Sequence, residues 1–462
     1  MKQSRYSPGA RLHRQSSGAV RFWRAFTMVL TGHPARAAVS AFVLVISVFT
    51  ALLALPWASA NHQPMSLVDA AVTATSAVTV TGLTSLDPEF YSFAGQVVIL
   101  AAIQTGGLGI VTLGAWLTLV VSRRLSLRTR LLSTESLGVS KLGEVPALLL
   151  TVFVVTLSIE ALLTLVMLPV FVRSLGVGEG VFHAVFYSVS AFSNAGFVLD
   201  ATSLSHPLIM TTINIGVFAG ALGFPVVYML YRMVFHKARM NLHTRLTLEM
   251  TAILLFGGAV VLAIFEWNNP ATLGPMSTVD KLHNALFASG MTRSGGFNTY
   301  EVTAQTDQTL LVTNVLMFIG GGSGSTAGGI KVTTLAVLLL AIVTEIRGDE
   351  HIRVHRRELP VTIIRVAVAV LMAGGVVVLT AVVLLTWVTG ADLGATLFEV
   401  LSAFGTVGLS TGLTASAPDA GKWILVAVMF IGRVGTITFA TGLTIRQQKT
   451  LYRFPTERPI IG

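Results

Sequence analysis

The chain has 462 residues, of which 53% are hydrophobic and only 11% charged. A soluble chain carries about 25% charged residues, so this one cannot cover a water-facing surface and reads as an integral membrane protein. Its formal net charge of +10 would suggest nucleic acid in a soluble protein, but the placement of the charge argues for a bilayer instead, and the lack of cysteine excludes disulfides, thiolate metal sites and cysteine nucleophiles.

Residues 1–33 form a basic tail with Lys2, Arg5, Arg11, Arg14, Arg21 and Arg24. No short apolar stretch with a small-residue cleavage site follows, so the tail is not a signal peptide; it holds its side of the bilayer or binds acidic lipid or a partner. An apolar stretch at 36–56 comes next, then a shorter segment at 66–82, then a second long stretch at 93–121. The same order recurs at 146–172, 180–196 and 207–234, at 247–267, 280–296 and 308–343, and at 361–388, 392–408 and 422–445. About 20 apolar residues cross the hydrocarbon core. The long stretches are therefore predicted as eight membrane helices. The short ones are predicted as re-entrant loops, whose bare backbone is tolerated only when buried in protein or lining a wet cavity. The expected fold is all-α, with repeats at 34–122, 146–245, 246–347 and 360–446 and a C-terminal tail at 447–462.

Each short segment ends on a glycine: Gly82, Gly196, Gly296 and Gly408. Each is followed by an apolar or aromatic residue, and another glycine lies 24 residues on, at Gly106, Gly220, Gly320 and Gly432. One offset shared without gaps marks four copies of one unit. A Ser-Ala pair precedes the glycine in three copies (Ser76-Ala77, Ser190-Ala191, Ser402-Ala403), where small residues let a pore helix pack closely; the third copy has Gly290-Met291.

Most of the 31 Lys and Arg residues lie in the tails and the links between repeats, among them Arg123, Arg128, Arg239, Arg245, Arg353, Arg357 and Arg446. The opposite loops carry acids such as Asp69, Asp87, Asp200 and Asp392. The positive-inside rule then makes the basic side cytoplasmic, with both termini inside and all four loops dipping in from outside. Repeats pointing the same way are related by an axis along the membrane normal, so four equivalent loops converge on one line. Rings of backbone carbonyls on such a line replace the water shell of a cation. Thr79-Val80-Thr81-Gly82 and Thr406-Val407-Gly408 have the Thr-Val-Gly pattern of potassium filters, and Ser193-Asn194-Ala195-Gly196 and Ser294-Gly295-Gly296 are looser versions.

On these residues the membrane portion, roughly 34–445, resembles the Trk/Ktr/HKT superfamily of potassium-uptake proteins. The match is carried by Val80-Thr81-Gly82-Leu83, by Asn194-Ala195-Gly196-Phe197, and by two specific signatures, Thr292 to Thr299 and Ala403 to Gly412. With no extra helix pair before the first repeat, the chain looks more like the bacterial Ktr membrane subunit than the longer Trk one. Some plant relatives that favour sodium carry serine at the first filter position; Gly82 argues for the potassium-selective form. The tyrosine of potassium-channel filters is absent, so looser selectivity is expected. The resemblance implies a homodimer, a cytosolic ring of nucleotide-binding regulatory subunits contacting the basic links, location in the bacterial inner membrane, and potassium as cargo without a covalent cofactor.

The second helix of repeat three holds Gly320-Gly321-Gly322-Ser323-Gly324-Ser325-Thr326-Ala327-Gly328-Gly329. Glycine costs about 1 kcal/mol per helical position relative to alanine, so this span is predicted to break into two half-helices. The resemblance makes the break an intramembrane gate under the filter; a close helix contact is the alternative. The run also mimics a nucleotide loop, but Ile330 stands where lysine is required, Lys331 comes one residue late, and no strand precedes it. Arg433, directly after Gly432, is a charge within the last span, where charges face a cavity or a partner. The resemblance projects it into the pore; an ion pair with Glu399 or Glu160 is the other reading. Lys331 is expected to anchor the gate or meet its cytoplasmic end. Arg293 and Asn298 are expected to brace the third loop, and Asn194 to brace or to face the ion. The rival function is a symporter coupling potassium to sodium or protons through Glu160 and Glu399.

Overall fold

A computed structural model describes residues 34–124, 145–200 and 203–435. The basic tail, the link at 125–144 and the end of the last expected span with the C-terminal tail lie outside the described residues. In repeat one, α1 (Pro34–Leu53) is followed by the short α2 (Leu67–Thr79) and the long α3 (Phe93–Arg124). Repeat two has α4 (Val145–Leu175), α5 (Val177–Phe192), α6 (Pro207–Leu222) and α7 (Phe224–His236). Repeat three has α8 (Leu242–Glu266), α9 (Thr278–Met291), α10 (Asp307–Phe318) and α11 (Val332–Arg347). A two-stranded hairpin, β1 (Arg353–Val354) and β2 (Arg357–Glu358), leads into repeat four: α12 (Val361–Thr389), α13 (Leu393–Gly405), α14 (Leu413–Ser416) and α15 (Asp419–Phe430), ending in a π-helical turn at Ile431–Gly435. The protein is an all-α membrane protein of four membrane-pore loop-membrane units.

Three of the four short helices, α2, α9 and α13, start on side-chain caps, while α5 follows the positive-φ Gly176 without one. Ser66 caps α2 by accepting from the Asp69 N–H, Ser277 caps α9 by accepting from the Asp280 N–H, and Asp392 caps α13 by accepting from the Gly394 N–H. Such caps satisfy amide donors that the first turn leaves free. Helices α2 and α13 run straight into left-handed backbone at Val80 and Thr406, whereas α5 and α9 pass through right-handed caps at Ser193 and Thr292 before the left-handed Asn194 and Ser294.

The packing closes a ring. The second helix of each repeat lies against the pore helix of the next: α3 on α5, α6 on α9, α10 on α13 and α15 on α2. Lys422 on α15 donates to Asp69 on α2 at 2.8 Å and ties the last repeat to the first. Burial alone would raise the Asp69 carboxyl, but hydrogen bonds from Lys422 and Ser66 outweigh it and hold the group below its ordinary value. Glycine permits close approach at equivalent points. A methyl group on Gly106, Gly220 or Gly432 would collide with the carbonyl of Val78, Phe192 or Phe404, near the end of the pore helix of the same repeat.

One expectation is corrected here. The span read as continuous over 207–234 is two helices that meet at 99°. Gly223 sits between them at φ +90 and ψ 146, a conformation closed to residues with a side chain, and Pro225 opens the second helix. Repeat three breaks where its glycines predict, between Phe318 and Val332. In both repeats the broken helix gives up backbone hydrogen bonds that must be remade elsewhere.

Candidate functional site

The four glycines meet. The Cα of Gly82 lies beside those of Gly408 and Gly196, and the Cα of Gly296 lies beside those of Gly196 and Gly408. A methyl group built on Gly82 would meet the Ala195 carbonyl oxygen at 2.6 Å, on Gly196 the Gly295 oxygen at 3.1 Å, and on Gly296 the Val407 oxygen at 2.5 Å. On Gly408 it would overlap the Thr81 oxygen. Each glycine thus makes room for the carbonyl of the residue before the glycine in the next repeat, in cyclic order. The sequence gives reason to expect convergence; the cyclic hand-over is visible only in three dimensions.

The backbone of each segment follows one pattern. Gly82, Gly196, Gly296 and Gly408 have φ of +96, +68, +75 and +96. Two residues earlier, Val80, Asn194, Ser294 and Thr406 are also left-handed, at +49, +60, +64 and +48. Thr81, Ala195, Gly295 and Val407 between them are not. Left-handed backbone is unusual for any side chain and an outlier for the β-branched Val80 and Thr406; strain of this kind costs about 1–3 kcal/mol and persists only when its surroundings fix it.

Hydrogen bonds do the fixing. The Thr81, Ala195 and Val407 amides donate to the carbonyls of Ser76, Ser190 and Ser402 at 2.8, 2.7 and 2.8 Å. The Gly82 and Gly408 amides donate to the hydroxyls of Ser76 and Ser402 at 2.9 and 3.1 Å. Ser190 instead donates its hydroxyl to the Phe197 carbonyl at 2.9 Å. The Ser-Ala pairs, expected to serve as small packing residues, therefore also splint the loop that follows. In repeat three, where serine is missing, the Gly295 and Gly296 amides both donate to the Met291 carbonyl. The pore helices end at this ring, and a helix C-terminus carries about half a negative charge, so the site is electrostatically prepared for a cation.

The glycine-rich segment packs against the ring from the side of the pore-helix C-termini. Gly328 N–H donates to Ser294 Oγ at 3.2 Å, and Ser294 Oγ donates to the Gly405 carbonyl at 2.9 Å. Thr326 Oγ1 donates to Asn194 Oδ1 at 2.7 Å, and Asn194 Nδ2 donates to the Val217 carbonyl at 3.3 Å, so the Asn194 side chain braces the segment. The bend in repeat two supplies the other support. Gly322 and Thr326 amides donate to the Ala221 and Gly220 carbonyls, and the Phe224 amide donates to the Gly324 carbonyl. The two broken spans thus satisfy each other's backbone groups, which is how irregular backbone is tolerated at membrane depth. A single glycine in a long apolar run is a weak signal beside the crowd in repeat three; Gly223 followed by Pro225 is what could have revealed the first break.

Arg433 is 1% exposed and donates through Nη1 to the Thr326 carbonyl. The other reading of its charge, an ion pair with Glu399 or Glu160, is not formed. Glu399 accepts from Ser410 Oγ at 2.7 Å, from the Thr411 and Thr414 amides, and from the hydroxyls of Thr411 and Thr414. Glu160 accepts from Gln104. Lys331 donates from Nζ to the Ala327 carbonyl at 2.6 Å, across one turn of the segment. Arg293 donates to the Thr251 carbonyl at 3.1 Å and Asn298 to the Tyr300 carbonyl at 3.1 Å, so neither is aimed at the ring through these bonds. Among the described residues no cluster of His, Asp and Glu able to hold a metal is present.

A ring of four backbone segments inside a four-repeat helical bundle defines a membrane protein of the cation-transporting class. The family model "Cation transport protein" (TrkH) matches residues 28–451, and the chain belongs to this TrkH family. It is similar to the Ktr system potassium uptake protein B of Vibrio alginolyticus, 37% identical over 420 residues, covering 89% of this chain and 91% of that protein. It is similar to the protein of the same name from Bacillus subtilis (strain 168), 36% identical over 420 residues with 90% and 93% covered. It also resembles the potassium/sodium uptake protein NtpJ of Enterococcus hirae at 31% identity over 445 residues, with 93% and 97% covered. The crystal structure of the potassium transporter TrkH from Vibrio parahaemolyticus shares the fold, with a TM-score of 0.68 over 90% of this chain and 86% of that one at 19% identity.

Proposed function

We propose that the chain is the ion-translocating subunit of a potassium-uptake system, with the glycine ring as its selectivity filter. Potassium sheds part of its hydration at the carbonyls of Thr81, Ala195, Gly295 and Val407. The membrane potential drives it inward, by about 2.3 kcal/mol per charge per 100 mV. The observation that carries this reading is the cyclic arrangement in which each glycine clears space for its neighbour's carbonyl. The names of the Ktr relatives supply the ion.

The segment from Gly320 to Gly329 then acts as the gate, with Arg433 holding it through Thr326 and Lys331 stiffening it through Ala327. A positive charge beside the path raises the barrier for a cation, and withdrawing the segment lowers it. The energy for gating comes from a cytosolic nucleotide-binding subunit that meets the basic links between repeats, and the membrane chain works as a homodimer. Both termini face the cytoplasm of a bacterial cell. The test is flux through purified protein in liposomes under potassium and sodium gradients. A reversal potential at the potassium Nernst value is expected. A fixed stoichiometry with sodium or protons, and a reversal potential displaced accordingly, would replace the filter reading by a coupled symporter.

A further inference from the structure

The four repeats can be aligned on their ring glycines, and two positions then break the pattern. Two residues before the second glycine of the unit stand Phe218, Phe318 and Phe430 in repeats two to four, but Gln104 in repeat one. At one fixed position of the first helix stand Ile46, Val260 and Met372 in repeats one, three and four, but Glu160 in repeat two. The two departures meet each other. Gln104 Nε2 on α3 donates to Glu160 Oε2 on α4 at 3.1 Å, at the seam between repeats one and two.

Glu160 is 5% exposed. Among the described residues no cation pairs with it. The described part of α3 that carries Gln104 (93–109) has no charged side chain, and neither does α6. The charged and titratable groups of α5 are Glu179 and His183 in its first half, and His183 is paired with Asp200 at 3.5 Å; Tyr187 beside Ser188 donates its hydroxyl to the Asp200 carbonyl. On α4 itself the other charge is Arg173, far along the helix. An unpaired buried carboxylate costs several kcal/mol. Glu160 Oε1 and Gln104 Oε1 are, in addition, both buried acceptors without a hydrogen-bond partner, as is the hydroxyl of Thr156 one turn away on α4.

We propose that Glu160 and Gln104 form a proton-binding site in the wall between repeats one and two, with the proton on Glu160 shared toward the Gln104 carbonyl oxygen. One proton removes the buried charge and gives both idle oxygens a partner, while the amide continues to donate to Glu160 Oε2. When the proton leaves, the Thr156 hydroxyl, one turn away on α4 and without a partner of its own, is free to turn toward the carboxylate. The site is coupled to the ring at two points: Ser188 on pore helix α5 donates its hydroxyl to the Glu160 carbonyl, and a methyl group on Gly107 would meet Ser193 Oγ, next to Asn194, at 2.7 Å.

The test is infrared spectroscopy of the full chain in nanodiscs. At neutral pH the wild-type minus Glu160→Gln difference should contain a carboxylic-acid carbonyl stretch that shifts in heavy water. A difference made only of carboxylate bands overturns the proposal, and so does an acid band that emerges only when sodium is replaced by choline, which would make an alkali cation the occupant. Gln104→Leu keeps the acid but removes its partner, so the band should persist and move to higher frequency; an unmoved band overturns the pairing even if Glu160→Gln does not fold. A link to transport rests on the uptake reading. Wild-type potassium flux should fall at alkaline pH and Glu160→Gln should lose that limb. Identical profiles overturn the link, whereas loss of all potassium flux with the acid band intact counts against the uptake reading and not the site.

Discussion

Gly408→Ser is expected to cut potassium uptake by about 10- to 100-fold. Gly408 has φ +96, where a residue with a side chain costs about 1–2 kcal/mol. Its Cβ would overlap the Thr81 carbonyl oxygen and lie 3.1 Å from the Gly82 Cα and 3.2 Å from the Gly296 Cα. All three neighbours are backbone, so no side chain can swing away, and a close-packed interior transmits the strain. The Thr81 carbonyl must tilt out of the ring. If the ion loses one such ligand, worth about 1.5–3 kcal/mol by analogy with hydrogen bonds to charged groups, the rate falls tenfold for each 1.36 kcal/mol. Gly375→Ala is the control: nothing lies within 4 Å of its added Cβ, and alanine in α12 is favoured over glycine by about 1 kcal/mol. The assay is potassium flux into liposomes, normalised to correctly inserted protein, with growth of a potassium-starved host alongside. Wild-type flux in Gly408→Ser would refute the reasoning, because no carbonyl ring could absorb a Cβ at that point unchanged.

Ser76→Ala and Ser402→Ala each strand a glycine amide of the ring, at a cost of about 1–3 kcal/mol; selectivity should suffer before transport does, seen as a bi-ionic reversal potential moving toward zero, and an unmoved potential would remove the splint from the argument. Arg433→Gln removes both a charge and the tie to Thr326. Unit charges about 10 Å apart at an effective dielectric of about 20 interact by about 1.7 kcal/mol, so losing a charge of that order beside the path should raise resting potassium leak roughly 10- to 20-fold; a leak that stays the same or falls counts against the gate. The seam pair predicts an acid limb of stability. Asp69 has its carboxyl held below the ordinary value in the folded state, so its contribution is present above about pH 4 and is lost as pH falls through the lowered value. Thermal scans between pH 7 and pH 3 should show this limb shrinking in Asp69→Asn, and an unchanged limb would assign it to other acids.

Part of this protein can be read from residues alone because some requirements are local. Glycines at Gly82, Gly196, Gly296 and Gly408 with a second set 24 residues on announce four equivalent places where backbone needs freedom, and the crowd from Gly320 to Gly329 cannot propagate a helix. Long apolar stretches must cross a bilayer because no water is available to their backbone. Other features have no local signature. Val80 and Thr406 are poor choices for left-handed backbone, and only the amide bonds onto the preceding pore helix hold them there. Ser76 and Ser402 look like small packing residues until the loop folds back over them. The bend at Gly223 rests on one glycine within an apolar run.

What the sequence by itself determined is the repeat and the membrane setting, which follow from composition and spacing along one dimension; the family came from the resemblance of the filter motifs. The tertiary structure alone decided the partners: that Arg433 meets Thr326 and not Glu399, that Lys422 closes the ring on Asp69, and that Glu160 meets Gln104. A hydrogen bond or ion pair depends on two groups arriving at about 3 Å, and residues 56 to 353 positions apart carry no mark of that meeting until the repeats have closed around their axis.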